Sequence, residues 1–162
     1  MKTLVVYDSA YGNTAKVAGA MCESLKAFGA TMSLLVSEVK PKDLDQLDVL
    51  FIGSPTQGGR ATEPIMGFID ELPDEVIKNT EVAVFDTRLE ASEQKKALEL
   101  LMRVIGYGAP KMAVALRRKG CKVLSDPQGF IVHDKEGPLR KGELEEAKVW
   151  AREIGQAFRA LE

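Results

Sequence analysis

Ser9, Gly12 and Thr14 stand within the stretch Ser9-Ala10-Tyr11-Gly12-Asn13-Thr14, directly after an apolar run and directly before an apolar stripe of helical period. That combination suits the capture of an anion. Two hydroxyls can donate, a glycine lets the backbone approach a ligand closely, and the amides of Gly12, Asn13 and Thr14 open a helix whose dipole favours negative charge. No lysine or arginine lies within the six residues. A phosphate held here would be solvated by neutral donors, an arrangement for a group held permanently rather than transferred. The simpler reading of the same residues is a tight turn closed by an Asn or Thr helix cap. Spacing excludes two other phosphate motifs, since neither a Gly-Lys-Ser/Thr loop nor a three-glycine dinucleotide fingerprint is present. A receiver domain would need an acceptor Asp at the end of the third strand, where this chain has Ile52-Gly53-Ser54-Pro55.

Two further polar segments follow apolar runs of strand length: GSPTQGGRATEP at 53–64 and FDTRLE at 85–90. The elements that must position all three are legible from periodicity. Apolar runs at 3–7, 31–37, 49–53 and 81–85, with a split fifth at 121–124 and 130–133, alternate with helical patterns, which predicts a parallel sheet covered on both faces. A helix over 15–28 turns Val17, Ala18, Met21, Leu25 and Phe28 inward and stops at Gly29. Thr62-Glu63-Pro64 starts another by the rules for helix N-termini, carrying Ile65, Phe68, Ile69 and Leu72 before Pro73. The last, Glu143–Leu161, is expected to bury Leu144, Ala147, Trp150, Ile154, Phe158 and Leu161. Residues 91–119 read as a helix to Ile105, a Gly106-Tyr107-Gly108 break and a second helix from Pro110. There, Leu98, Leu101, Met102, Val104 and Ile105 read as core, with a lid or a dimer surface as the alternative. In a right-handed β-α-β arrangement the three polar segments converge at the carboxyl edge of the sheet and describe a ligand cleft.

The 162 residues, 45% hydrophobic and 28% charged, predict one domain over 1–162 with a single good core. The opening apolar run is shorter than the roughly 7 to 15 residues of a signal-peptide core, so a soluble, cytoplasmic chain without a membrane span is expected. Cys22 and Cys121 form no metal-ligand spacing with the one histidine, His133, and read as buried, reduced and structural. A net charge of −2 without a basic run argues against nucleic acid. No residue is nominated as a catalytic acid, base or metal ligand, and His133 reads as surface.

On these residues the chain resembles the flavodoxin family. Val5-Val6-Tyr7, Ser9, Gly12, Thr14 and Ala18 match the family's signature for the phosphate of flavin mononucleotide (FMN), with Met21 where a branched aliphatic is usual. The resemblance implies a three-layer α/β/α sandwich around a five-stranded parallel sheet in the order 2-1-3-4-5, binding FMN without a covalent bond. By position, Ser9, Ala10, Tyr11, Gly12, Asn13 and Thr14 would hold the phosphate. Ser54, Pro55, Thr56, Gln57, Gly58 and Gly59 would flank one side of the isoalloxazine, and Asp86, Thr87 and Arg88, with Leu89, the other.

The departures bear on function. Family members commonly sandwich the ring between two aromatics, but Gln57 stands at the first of those places and no Trp or Tyr lies between Phe85 and Ser92. Loss of two such contacts, worth about 0.5 to 1.5 kcal/mol each, weakens binding by roughly tenfold or more. Electron-carrier flavodoxins are strongly acidic, whereas this chain is nearly balanced and places Arg60 and Arg88 in the ring-side segments. A guanidinium near the flavin would favour the reduced anionic form. The alternative is solvated arginines or pairs with Glu63 and Glu90. The resemblance thus implies an electron carrier serving a redox partner protein or a small-molecule reductant or acceptor, as a monomer or weak homodimer. Beside it stand a flavin-dependent oxidoreductase of quinones or porphyrinogens, and a flavin-free descendant that uses the cleft for another anion or a protein.

Overall fold

The computed structural model describes residues 1–162. Its sheet runs β2-β1-β3-β4-β5, all parallel, from β1 (Lys2–Tyr7), β2 (Ala30–Leu35), β3 (Val49–Pro55), β4 (Glu81–Leu89) and the short β5 (Lys122–Val123); β6 (Gln128–Val132) also pairs with β4. The 2-1-3-4-5 order places β1 and β3 side by side where the direction of winding reverses, which opens a crevice at their carboxyl ends.

Alternation along the central strands sorts their side chains into two cores. Leu4 and Val6, Leu50 and Ile52, Val82 and Val84 face one side, where α2 (Glu63–Asp70), α3 (Asp74–Asn79) and α5 (Gly108–Lys119) bring Ile65, Ile69, Val76, Met112 and Leu116. Val5, Val49, Phe51, Ala83 and Phe85 face the other, against α1 (Asn13–Leu25) and α6 (Glu143–Leu161), with Val17, Met21, Leu25, Trp150 and Ile154. The Trp150 indole lies edge-on to Phe51, Phe85 and Phe130, with ring centroids 5.6, 6.3 and 6.2 Å apart. Gly53 is bare because Phe85 lies on it: a β-carbon there would sit 2.1 Å from the ring. These contacts fix the upper ends of β3 and β4.

Several expectations shift. The split fifth strand pairs at two levels, β5 against Glu81 and Val82, and β6 against the run from Phe85 to Leu89. That second partner, with β3 on the other side as far as Thr87, extends β4 through residues whose polarity reads as loop. The third polar segment is therefore largely strand. β2 ends at Leu35 and continues as a 3-10 turn, Val36–Glu38. α1 stops at Leu25, and a 3-10 turn, Lys26–Phe28, leads to Gly29, leaving Phe28 half-buried. On α6, Leu144 and Leu161 are exposed, since they lie at helix ends beyond the sheet's cover.

The largest difference is α4 (Lys96–Ile105). No residue of it is buried, and Leu98, Leu100, Leu101, Val104 and Ile105 are 38% to 76% exposed. Its helical stripe is real, but the sheet's two faces are already filled by the other helices, so it packs only on the rim of the crevice. The core reading of these residues is thereby overturned. The helix break predicted at 106–108 lies between α4 and α5, with α5 beginning at Gly108.

Candidate functional site

At the carboxyl ends of β1, β3, β4 and β6 lies a cavity of about 520 Å3, within the size range of cofactor sites. The loop after β1 contributes Ser9, Ala10, Tyr11, Asn13 and Thr14 to its wall, β3 and the turn after it Pro55, Thr56, Gln57 and Gly58, and β4 Thr87, Arg88 and Leu89. Val132 and Lys135, from β6 and the turn that follows, complete it.

The first loop is organised around Ser9. Its Oγ accepts the Gly12 and Ala15 amides at 3.1 and 3.3 Å, and its own amide donates to Asp8 Oδ1 at 2.9 Å. Gly12 takes the left-handed conformation, φ +89°, that turns the chain into α1. The amides of Ala10, Tyr11, Asn13 and Thr14 have no protein acceptor. In the first turn of a helix such donors carry its positive end. The Thr14 and Thr87 hydroxyls meet at 2.8 Å, buried, which joins the first loop to β4. Asn13 Nδ2 donates to the carbonyl of Glu136 at 3.1 Å, which joins it to the turn after β6.

The second loop is a tight hairpin. Gln57 and Arg60 exchange both backbone hydrogen bonds, at 2.9 and 3.1 Å, around Gly58 and Gly59 with φ of +56° and +76°. Positive φ at both central positions is the demand of a type I′ turn, which glycine meets without strain. Lys111 Nζ clamps the turn from outside, donating to the carbonyls of Gly59 and Ile105 at 2.6 and 2.7 Å. Gly59 faces away from the cavity: a β-carbon there would meet Ile105 at 1.9 Å.

Asp86 and Ser54 also stay out of the cavity wall, and both have structural employment. The Asp86 carboxylate, fully buried, accepts Nε and an Nη of Arg88 at 2.6 and 2.8 Å and the Ala109 amide at 2.8 Å. Ser54 Oγ, also fully buried, accepts the Thr62 amide at 2.9 Å. The hydroxyl of Thr62, expected to cap α2, makes no hydrogen bond. Arg88 pairs with Asp86 rather than Glu90, and its guanidinium carbon lies 3.9 Å from the centroid of Tyr107. Gly129 is bare beneath it, as a β-carbon would lie 2.3 Å from that group. Arg60 is exposed and makes no ion pair.

Of the residues picked from sequence, those of the phosphate loop other than Gly12 line one cavity together with Pro55, Thr56, Gln57, Gly58, Thr87 and Arg88; Gly12 shapes its backbone, and Ser54, Gly59 and Asp86 lie behind it. Leu89, Val132 and Lys135 complete the wall. Val132 ends β6 and Lys135 stands in the turn after it, at the same sheet edge, and applying the strand-end rule to that strand, as to the other three, would have found them. Tyr11 is the one aromatic in the wall. A smaller apolar recess of about 240 Å3 adjoins, sharing Thr56, Gly58 and Leu89 and lined further by Leu98, Leu101, Met102, Ile105 and Tyr107. The chain has no group of acidic, Cys and His side chains fit to hold a metal, and no helix long and apolar enough to cross a membrane.

Comparison with known proteins agrees with this geometry. The family model described as "Flavodoxin domain" matches residues 4–108. A diflavin flavoprotein of Nostoc sp. is 33% identical over 64% of this chain and 19% of its own length. An NAD(P)H dehydrogenase (quinone) of Azorhizobium caulinodans is 30% identical over 43% of this chain and 46% of its own. The alignments thus span less than half of those relatives. A solved flavodoxin from the domain Archaea superposes with a TM-score of 0.75 at 21% identity, covering 98% of this chain and 99% of its own.

Proposed function

The chain belongs to the flavodoxin-domain family, and from that premise we propose that it binds FMN without a covalent bond in the cavity at the sheet's carboxyl edge and carries electrons between redox partners. The carrying observation is the set of four amides, Ala10, Tyr11, Asn13 and Thr14, without protein acceptors in a loop that lines that cavity beside a helix N-terminus. Such donors fit a phosphate monoester.

The protein's part is binding and electrostatics; a bound flavin supplies one- and two-electron chemistry. The first loop would hold the phosphate, the Thr56 to Gly58 side would border one ring face, and Thr87 and Arg88 the other. With Tyr11 the one aromatic in the wall, ring stacking is lighter than two aromatics give. The Arg88 charge is balanced by Asp86, which moderates its pull on a reduced, anionic ring. Two free, buried cysteines suit the reducing cytoplasm, where this reading places the protein.

A second reading, a flavin-dependent oxidoreductase, draws support from the apolar recess under α4, which borders the ring-side wall and suits a flat apolar acceptor. The absorption spectrum of the purified protein, with an FMN fluorescence titration if it is colourless, tests the first premise. Flavin bands or quenching at micromolar affinity support it, and no quenching at high FMN overturns it. Turnover of NAD(P)H with a quinone then distinguishes oxidoreductase from carrier.

A further inference from the structure

We propose that Lys135 is the cation of the phosphate end of this cavity and makes the protein discriminate phosphorylated from unphosphorylated flavin. The inference rests on the flavin reading above. The six-residue loop contains no cation, yet the folded chain brings one to the same wall across more than 120 positions of sequence. Lys135 lines the cavity together with Ser9, Asn13 and Thr14.

The turn that carries it is built onto the loop. Asn13 Nδ2 donates to the Glu136 carbonyl at 3.1 Å. Within the turn, Lys135 N donates to Asp134 Oδ1 at 2.7 Å, Gly137 N to the Asp134 carbonyl at 2.9 Å, and His133 N to the Pro138 carbonyl at 3.0 Å. Four hydrogen bonds thus fix the backbone from which the ammonium projects, which lowers the ordering cost of an ionic contact.

The charges in the wall single this residue out. Its two cations are Arg88 and Lys135. Arg88 is committed to Asp86 by two hydrogen bonds. Lys135 makes no ion pair with either acidic neighbour: one Asp134 carboxylate oxygen accepts the Lys135 amide, and Glu136 is held by its backbone carbonyl, its carboxylate pairing with no cation. A phosphate monoester brings a charge of about −1.5 to −2 at pH 7, while riboflavin brings none. An exposed ammonium beside that group adds a modest, salt-sensitive attraction.

The test is a pair of fluorescence-quenching titrations, FMN and riboflavin, on the wild-type, Lys135→Ala and Lys135→Arg proteins at low and high salt. Lys135 is exposed, so the variants fold. Lys135→Ala is expected to weaken FMN binding by about 2- to 5-fold at low salt, leave riboflavin unchanged and flatten the salt dependence, and Lys135→Arg is expected to keep wild-type behaviour. Unchanged FMN affinity in Lys135→Ala, or equal weakening of both flavins, overturns the proposal. A wild-type protein that binds neither flavin overturns the underlying reading and the proposal with it, a result distinct from loss of the lysine's role alone.

Discussion

The Arg88 guanidinium holds the Asp86 carboxylate through two hydrogen bonds, 2.6 and 2.8 Å long, in a pair whose acid is fully buried. The same carboxylate takes the Ala109 amide at 2.8 Å, so it also serves as the anion at the N-terminus of α5. Two residues apart on β4, both point to one face of the sheet, which is what allows the fork to close. Removing the arginine strands a buried charge, and Arg88→Ala is expected to cost about 3 kcal/mol in urea denaturation. Adding Asp86→Asn, which removes the charge while keeping an acceptor, should recover part of that loss. A cost within 0.5 kcal/mol, on the order of an ordinary surface change, would show the pair to be dispensable.

The Gly58-Gly59 turn separates strain from crowding. Both residues need positive φ, but only Gly59 has a neighbour, Ile105, in the space a β-carbon would fill. Gly58→Ala should cost about 1 kcal/mol from backbone strain, and Gly59→Ala distinctly more, because α4 must shift. Thermal denaturation of the two variants checks the order. Equal costs would mean that Ile105 yields freely.

The sequence carries the succession of strands and helices and the first loop because both obey local rules, apolar runs of strand or helical period and turn chemistry at a strand end; the strand order follows from the family resemblance of that loop. Asp86 illustrates what local rules miss. A polar residue after an apolar run reads as loop, yet pairing with β6 keeps it in the strand, and the Arg88 guanidinium two residues along with the Ala109 amide from the start of α5 account for its charge. Lys135 was hidden for the opposite reason. It lies in a plainly polar stretch after a strand that periodicity splits in two; the strand-end rule applied to β6 points to the right edge of the sheet, and the hydrogen bond from Asn13 to Glu136 shows which loop it joins. Periodicity likewise finds the apolar face of α4 but cannot tell that both faces of the sheet are already covered.

That face gives a clean test of the correction. Leu100 and Val104 are 67% and 76% exposed, so the double substitution Leu100→Gln with Val104→Gln should leave stability within about 0.5 kcal/mol by chemical denaturation. A core pair truncated or made polar would cost several times more. A loss of 2 kcal/mol or more, on the order of one buried side chain, would return α4 to the core.

Cys121 offers a check that depends on pH. Burial pushes its thiol above the usual value, with the nearby Lys119 charge pulling the other way to a smaller extent. A raised value in the folded state means that the neutral thiol is favoured by folding. That contribution is complete below the unfolded thiol's value, about 8.5, and is lost as pH rises through the folded value. At pH 8 the native thiol therefore carries less thiolate than the unfolded one. Iodoacetamide, read by peptide mapping, should label Cys121 more slowly in buffer than in urea, since only the thiolate attacks. Raising the pH toward 10 should narrow that ratio and lower the urea midpoint, and the fall should be smaller in Cys121→Ala. Labelling at equal rates in both solvents would show that the thiol is reached by water and that burial does not govern it.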